Sequence, residues 1–391
     1  MDSTSPTIPL LNDSQNVMGS PELTVTVFLY GVLISVTVIG NVLVIVSYAQ
    51  DKEIRKRTTN FIILNLAIAD LLVGLVSLTI NLSRIVTRRW LFGETVCKLY
   101  GIVDYVITNI SVAMIVFISL DRYYAIAKLL EYHRFVSLYR VKVSIIATWS
   151  SITVYWSLVA FGWPYLQDEI QAVDYSTECY MEYLINPIAT FVAVLVATVI
   201  PLLSVVILNT LIFLKIKRQW GRFRRIKVRQ NSAKFVTSAE QGVRGSNFAS
   251  LRQNRAERYS TDTSQRPSQS RCRGSAGSTV SLTVSLDHNA PLSDVIKTKV
   301  AREKLRRNVK MASKLALYVL IFGACWLPYQ IIVIVSAFCS GSCVHKLTWD
   351  ITENILWANS AINPLLYALT NRRFRRKVTA MVSCPLRLPR N

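Results

Sequence analysis

Three aspartates, Asp70, Asp104 and Asp121, lie within long apolar stretches of the sequence. A carboxylate inside a membrane span costs about 3 kcal/mol or more, so such a residue usually has a functional role. At the rise of an α-helix, Asp104 lies about 10 Å below the outer end of its helix, and Arg122 lies about 27 Å further along. The outer half of the spans offers Asp104 no obvious Lys or Arg partner. Two interpretations stay open for Asp104: it pairs with a cation supplied by a ligand, or it makes a hydrogen bond between helices.

Aromatic residues fall at the same depth as Asp104. Tyr105 follows this acid directly, Trp326 and Tyr329 lie close together in a later apolar stretch, and Trp357 lies in the last one. Ammonium groups bind desolvated aromatic faces with about 2 kcal/mol or more per contact. The pattern favours a cage for an ammonium group, and ordinary helix packing is the alternative.

A second polar group surrounds Asp70, which we place in the middle of its apolar stretch. Small oxygen ligands around one carboxylate suit a sodium ion or water molecules. A purely structural polar network is the alternative, and it does not conflict with ion binding. The expected neighbours of Asp70 are Ser111, Asn359, Ser360 and Asn363.

The elements that must position these residues are long apolar helices. The chain has 391 residues, of which 51% are hydrophobic, and its mean hydropathy of +0.34 is rarely reached by soluble proteins. Seven stretches have the length of about 20 residues that a spanning helix needs. We therefore predict an all-α membrane protein, a seven-transmembrane helix bundle. The predicted spans are 23–49, 59–84, 95–127, 142–164, 185–215, 308–337 and 347–370.

The net charge of +22 is concentrated in one segment, because 23 Lys and Arg face 6 Asp and Glu between Lys215 and Lys310. This placement fits the positive-inside rule better than a nucleic-acid surface. We expect a multi-pass protein of the plasma membrane with an extracellular N-terminus. The expected regions are an extracellular tail (1–22), helices one to five (23–215), a basic, largely disordered third intracellular loop (216–307), helices six and seven (308–370), and an eighth helix with a short cytoplasmic tail (371–391).

Modification signals fit this orientation. Asn12 begins an Asn-Asp-Ser glycosylation acceptor in the outer tail, and Cys384 in the inner tail is a candidate for palmitoylation. Four of the seven cysteines fall in segments placed outside the cell, where disulfides persist. These cysteines are Cys97, Cys179, Cys339 and Cys343.

Each predicted span carries a short motif. The motifs are Gly40-Asn41-Val42, Leu66-Ala67-Ile68-Ala69-Asp70, Asp121-Arg122-Tyr123, Trp149, Pro201, Cys325-Trp326-Leu327-Pro328-Tyr329 and Asn363-Pro364-Leu365-Leu366-Tyr367. In this order and at these depths, they resemble the rhodopsin-like (class A) G-protein-coupled receptors over nearly the whole chain. The resemblance also implies that Phe374 belongs to a short amphipathic eighth helix.

The resemblance implies particular roles for several of these residues. It places Asp104 where amine receptors hold the ligand ammonium, and it implies disulfides between Cys97 and Cys179 and between Cys339 and Cys343. It further implies a switch that connects the ligand to the G protein. The switch and coupling residues are Asp121, Arg122, Tyr123, Pro201, Phe322, Pro328, Pro364 and Tyr367.

Two groups of amine receptors share local runs with this chain. Residues 104–112 look like the muscarinic acetylcholine receptors, whereas 322–326 and 356–361 look like the histamine receptors of the third subtype. The chain departs from the muscarinic pattern at Gln330 and Glu353, where those receptors have Asn and Tyr. The residues expected to bind the ligand are Asp104, Tyr105, Thr108, Asn109, Trp326, Tyr329, Gln330, Glu353 and Trp357.

Glu353 has two open interpretations. A second acid near the pocket mouth would favour a ligand with two basic centres, or a primary amine over a quaternary one. Alternatively, Glu353 is an exposed residue at the start of its helix, near Asp350.

The expected function is that of a G-protein-coupled receptor for a small cationic amine, acetylcholine-like or histamine-like, that acts through an inhibitory-type heterotrimeric G protein. The alternatives are a receptor for a trace amine or a diamine, or a constitutively active receptor, and a transporter is disfavoured. Arrestin, receptor kinases and the lipid bilayer are the other expected partners, and nucleic acid is not. We expect no catalysis, and no cofactor or metal beyond an allosteric sodium ion.

Two departures from the resemblance concern the switch. Many amine receptors carry an acid at the start of the sixth span that locks the Arg122 position, and this chain has Asn308 there. Asn209 stands where a Tyr of the fifth span usually supports the active state. We therefore expect a weakened inactive lock and measurable basal signalling.

Overall fold

A computed structural model describes residues 20–127, 132, 136–166, 173–221, 225, 292–339 and 343–383. Most of these residues belong to eight helices, α1 to α8. The helices are α1 (Ser20–Gln50), α2 (Thr58–Thr87), α3 (Gly93–Ala127), α4 (Leu138–Gly162), α5 (Pro187–Gly221), α6 (Leu292–Phe338), α7 (Lys346–Thr370) and α8 (Arg372–Ser383).

The helices α1 to α6 are, within the described residues, the six that are long and apolar enough to cross a membrane. Their outward side chains are large and apolar: Phe28 is 66% exposed and Leu320 is 70% exposed. Such surfaces suit contact with lipid rather than water. Helix α7 is comparably long but carries Asp350, Glu353 and several amides, which lower its hydropathy. The predicted all-α bundle is thus confirmed, and the amphipathic α8 follows it with Phe374 buried.

The chain forms two compact units. One unit comprises Met1–Lys215 and Val309–Asn391, and the other comprises Ile216–Asn308. The described residues at both ends of the second unit are helical and belong to α5 and α6. Helix α6 therefore begins at Leu292 rather than at the predicted residue 308. The residues before the apolar stretch include Ala, Lys, Arg and Leu, which favour helix without needing burial.

Helix α3 lies at the centre of the packing and contacts both α2 and α4, while α1 packs against α2 and α7. Leu66, Ile110 and Met114 are completely buried in this core. The approach of α1 to α7 is close, because a Cβ atom added at Gly40 would lie 2.9 Å from Cγ of Pro364. Glycine at this position therefore allows the two helices to contact each other.

Helices α2 and α5 each contain one π-helical turn, at Val73–Ser77 and Leu195–Val199. Such a turn holds one extra residue, so it rotates the rest of the helix relative to a regular α-helix. Ser77 ends the turn in α2 and is completely buried. Its side chain faces α3, which matters for the site described below.

Two disulfides join the loops at one end of the bundle. Cys97 at the start of α3 is bonded to Cys179 in the segment before α5, with their Cα atoms 5.5 Å apart. Cys339 and Cys343 are bonded across the connection between α6 and α7. Both pairings are the ones that the resemblance implied.

Candidate functional site

A cavity of about 290 Å³ opens between the helices and the disulfide-bonded segment before α5. Two carboxylates, Asp104 of α3 and Glu353 of α7, line this outer cavity. Arg84, from the last turn of α2, is the cation among its lining residues. The outer cavity therefore combines two negative side chains with one positive side chain.

A smaller cavity of about 70 Å³ lies among α3, α5, α6 and α7. Asp104, Tyr105, Tyr329 and Glu353 line both cavities, so these residues lie where the two cavities adjoin. All nine residues expected to bind the ligand line the smaller, inner cavity. They are Asp104, Tyr105, Thr108, Asn109, Trp326, Tyr329, Gln330, Glu353 and Trp357.

The carboxylate of Asp104 accepts a hydrogen bond from the hydroxyl of Ser77. Ser77 is the one side-chain donor to Asp104 within the described ranges. The sequence offers Asp104 no obvious Lys or Arg partner, but Arg84 lines the same cavity and acts electrostatically on both Asp104 and Glu353. Arg84 makes no salt bridge with either acid, however, as far as the described residues extend.

Glu353 lines both cavities and is only partly exposed. Asp350, one helical turn earlier, lines neither of them. This placement favours the interpretation of Glu353 as a pocket residue over that of an exposed residue at the helix entry.

The aromatic rings around Asp104 are packed against further rings. Tyr105 stacks on Trp156, with ring centroids 4.3 Å apart and an interplanar angle of 18°. Trp326 stacks on Phe322 with centroids 5.2 Å apart, and Tyr329 meets Trp349 edge to face. Since one face of Tyr105 and one of Trp326 are covered, each of these two rings can offer at most one face to a ligand.

Several lining residues had not been predicted from the sequence. Arg84 could have been found as a charged residue near the outer end of the second span. The others are aromatic or small residues of apolar helices, and their spacing does not distinguish a cavity wall from a helix contact. The unpredicted residues include Tyr100, Trp156, Tyr183, Thr198 and Trp349.

The described residues 173–184, which precede α5, carry the acids Asp174, Glu178 and Glu182, and this acidic segment is largely occupied by contacts of its own. Glu182 lies 3.2 Å from Nζ of Lys98 and accepts a hydrogen bond from the hydroxyl of Tyr175. Hydrogen bonds from Ser176 hold the pKa of the exposed Asp174 carboxyl below its usual value. Burial raises the pKa of Glu178. The charge of this segment therefore serves partly to attach it to α3.

The polar group at Asp70 has the predicted composition except for one residue. Ser360 and Asn363 donate hydrogen bonds of 2.8 Å to Asp70, and Ser111 donates one of 3.4 Å. Asn359 is buried as well, but its side chain makes no hydrogen bond to Asp70 in the part of the chain that is described. A carboxylate and two serine hydroxyls form an oxygen-rich set that suits a small hard cation.

A third cavity, of about 320 Å³, lies at the other end of the bundle and includes Arg122 in its wall. The guanidinium of Arg122 lies 3.1 Å from the carboxylate of Asp121. Thr59 of α2 donates a 2.7 Å hydrogen bond to Asp121 and accepts one from Arg122. The hydroxyl of Tyr132 also donates to Asp121, at 2.8 Å. Arg122 is therefore tied to α2 and to its own helix.

The remaining residues expected in the switch are distributed along the bundle. Tyr367 stacks near Tyr318 with centroids 6.0 Å apart, and both line the cavity that includes Arg122. Tyr123 packs against Tyr124. Pro201 lies in α5, Pro328 in α6 and Pro364 in α7. The modification candidates Asn12 and Cys384 lie outside the described residues.

Asn209 donates to the hydroxyl of Ser119 at 3.4 Å and to the carbonyl of Val205. This side chain is therefore engaged between α5 and α3 where related receptors were expected to have a Tyr. The contact supplies a polar link between the two helices without an aromatic ring.

Comparison with known proteins places the chain among receptors. The description 7 transmembrane receptor (rhodopsin family) matches residues 40–367. The muscarinic acetylcholine receptor M4 of Gallus gallus is 25% identical and covers 91% of this chain and 89% of its own. The muscarinic acetylcholine receptor M1 of Sus scrofa is 27% identical, with 90% and 88% covered. The octopamine receptor beta-1R of Drosophila melanogaster is 28% identical, with 89% of this chain and 59% of its own covered.

Proposed function

This chain belongs to the rhodopsin family of seven-transmembrane receptors, and we propose that its ligand is a small cationic amine held by Asp104. The observation that carries the proposal is the position of Asp104. Its carboxylate lines both the outer and the inner cavity and receives one side-chain hydrogen bond, from Ser77, among the described residues. A partly buried carboxylate with unused acceptor capacity is stabilised by a ligand ammonium that supplies charge and N–H donors.

The relatives support the same chemical class. Two are named for acetylcholine, a quaternary ammonium compound, and one for octopamine, a protonated primary amine, so both compounds are small and carry a cationic nitrogen. The walls of the inner cavity combine aromatic rings with a few polar groups, which is typical of sites for small molecules. The ligand is therefore an acetylcholine-like or histamine-like amine.

Signalling is a shift between two populations of the receptor, since a ligand stabilises the state to which it binds more tightly. Ammonium binding at Asp104 repacks Trp326 and Phe322, and α6 then moves about Pro328. The movement releases Arg122 toward a heterotrimeric G protein of the inhibitory type. Arrestin and receptor kinases act on the same cytoplasmic side, and the receptor lies in the plasma membrane with its N-terminus outside.

Asp70, Ser111 and Ser360 would hold a sodium ion. The hydroxyls of Ser111 and Ser360 lie against the Asp70 carboxylate and would supply oxygen ligands. A bound ion would supply positive charge at the place where α2, α3 and α7 converge, and so would favour the state in which these three helices stay together.

The proposed function is tested by replacing Asp104 with Asn and measuring the affinity of amines for the purified receptor. An ion pair at 4 Å in partly shielded protein is worth about 4 kcal/mol, so Asp104→Asn should weaken amine binding roughly 100- to 1000-fold. Asp174→Asn is the matched control, because Asp174 is exposed and lines neither cavity. Unchanged affinity of every amine in the Asp104 variant would refute the amine assignment.

A further inference from the structure

The ligand site contains a second carboxylate, that of Glu353, which lines the same two cavities as Asp104. Asp104 and Glu353 both line the outer and the inner cavity, so they flank the junction between the two. A ligand that occupies the inner cavity and extends into the outer one must pass these two side chains.

The Glu353 carboxylate has no hydrogen bond and no salt bridge within the described ranges. Asp104 has the single bond from Ser77. Arg84 acts on both acids electrostatically without forming a salt bridge to either. Most of the acceptor capacity of the two carboxylates is therefore available to a ligand.

The charged residues that line the two cavities balance for one cation. Asp104 and Glu353 at the junction, together with Arg84 in the wall of the outer cavity, leave a single negative charge, which one ammonium group neutralises. A ligand with two ammonium groups would leave a surplus positive charge in a partly buried site, and such a charge is costly.

The packing of the rings argues in the same direction. A quaternary ammonium has no N–H group and binds through aromatic faces. One face of Tyr105 is covered by Trp156, and one face of Trp326 is covered by Phe322. A protonated amine with several N–H groups instead donates charge-assisted hydrogen bonds to both carboxylates.

We propose that the ligand carries a single primary or secondary ammonium group clamped between Asp104 and Glu353, and that the receptor selects it over a quaternary ammonium. This inference rests on the proposed function, because it concerns the same ligand site. It assigns to Glu353 the role of a selectivity residue, because its carboxylate accepts a hydrogen bond from an N–H group of the ligand.

The test uses matched probes and the intact receptor in lipid nanodiscs. The probes are tyramine, histamine and the N,N,N-trimethyl derivative of each, and the dissociation constant of each is measured for the wild type and for Glu353→Gln. Since Gln keeps an amide oxygen but has no charge, the ligand N–H exchanges a charge-assisted acceptor for a neutral one, and the primary amines should bind about 10-fold more weakly to the variant. The trimethyl derivatives should lose about threefold or less, because they have no N–H to lose.

The change in the ratio between paired probes is the decisive quantity, since the larger size of the trimethyl group affects both receptors alike. Asp350→Asn removes the same charge one turn away on α7 and should leave the ratio unchanged. Glu353→Asp keeps the charge and should retain part of the selectivity. The melting temperature of the ligand-free variants checks that each is folded.

Equal losses for primary and trimethyl probes in Glu353→Gln would overturn the clamp, because Glu353 would then act only through its charge. The clamp would also be overturned if 1,5-diaminopentane lost affinity while the primary monoamines did not, since Glu353 would then bind a second cationic centre. In both cases Asp104→Asn would still weaken binding roughly 100- to 1000-fold, and the proposed function would stand. If no probe bound the wild type and Asp104→Asn had no effect on any amine, the proposed function itself would fail and the clamp with it.

Discussion

Thr59 connects Arg122 to α2, so removing its hydroxyl should raise ligand-free signalling. The hydroxyl donates to Asp121 at 2.7 Å and accepts from Arg122. Thr59→Val has nearly the same shape and deletes both bonds. Arg122 keeps its pairing with Asp121 at 3.1 Å, so the contacts that hold Arg122 in the inactive state are weakened rather than removed.

The size of the effect follows from the number of bonds and their partners. A hydrogen bond to a charged group contributes about 1.5–3 kcal/mol, but Thr59 is partly exposed, and water can replace some of the loss. A net cost to the inactive state of about 1.5–2 kcal/mol is therefore expected, and it should raise the active population about 10- to 30-fold.

The measurement is the initial rate of nucleotide exchange on a panel of heterotrimeric G proteins, with purified, ligand-free receptor in nanodiscs. Thr58→Val is the matched control, because Thr58 is the adjacent residue and makes no hydrogen bond to Asp121 or Arg122 within the described chain. Thr59→Ser keeps the hydroxyl and should behave like the wild type. If Thr59→Val and Thr58→Val catalysed nucleotide exchange on the G protein at the same rate, the contacts of Thr59 would not restrain Arg122.

Three further predictions concern packing, sodium and basal activity. Gly40→Ala places a Cβ 2.9 Å from Cγ of Pro364, whereas Gly31→Ala on the same helix meets nothing within 4 Å. Thermal unfolding should therefore show Gly40→Ala to be less stable than Gly31→Ala by about 1–3 kcal/mol, and equal stabilities would mean that α1 and α7 separate easily. Asp70→Asn should abolish any difference in agonist affinity between sodium chloride and potassium chloride, and a difference that persisted would place the ion elsewhere. Asn308→Glu should lower ligand-free nucleotide exchange, and unchanged exchange would argue against a weakened lock.

The neighbours of Asp70 show which part of the site the sequence could predict. Ser111, Ser360 and Asn363 lie in apolar helices that offer few other polar groups, and a buried carboxylate must find its donors among them. The depth of each residue along its helix then selects those that can meet. Asn359 has a suitable depth too and shares a helix face with Asn363, four residues later, yet only Ser360 and Asn363 of this group on α7 bond to Asp70 in the described residues, so depth and face alone do not select the donors.

The limits of the apolar helices were also predictable, because their length follows from the thickness of the bilayer. The start of α6 was not, since the helix continues for about four turns into a charged segment before residue 308. Charged residues with high helix propensity extend a helix beyond the membrane without an apolar pattern to mark its start.

Arg84 was missed for a different reason: the sequence indicates its depth along α2 but not the face of the helix on which its side chain lies. Ser77 faces Asp104 at the end of the π-helical turn of α2, and Arg84 follows seven residues later. Seven residues make about two turns, so Arg84 shares the face of Ser77 and lies over the same cavity. In a regular α-helix the extra residue of the π turn would be absent, and this face would be rotated by about 100°. The balance of charge at the ligand site therefore depends on one irregular turn that the apolar sequence around Val73–Ser77 does not reveal.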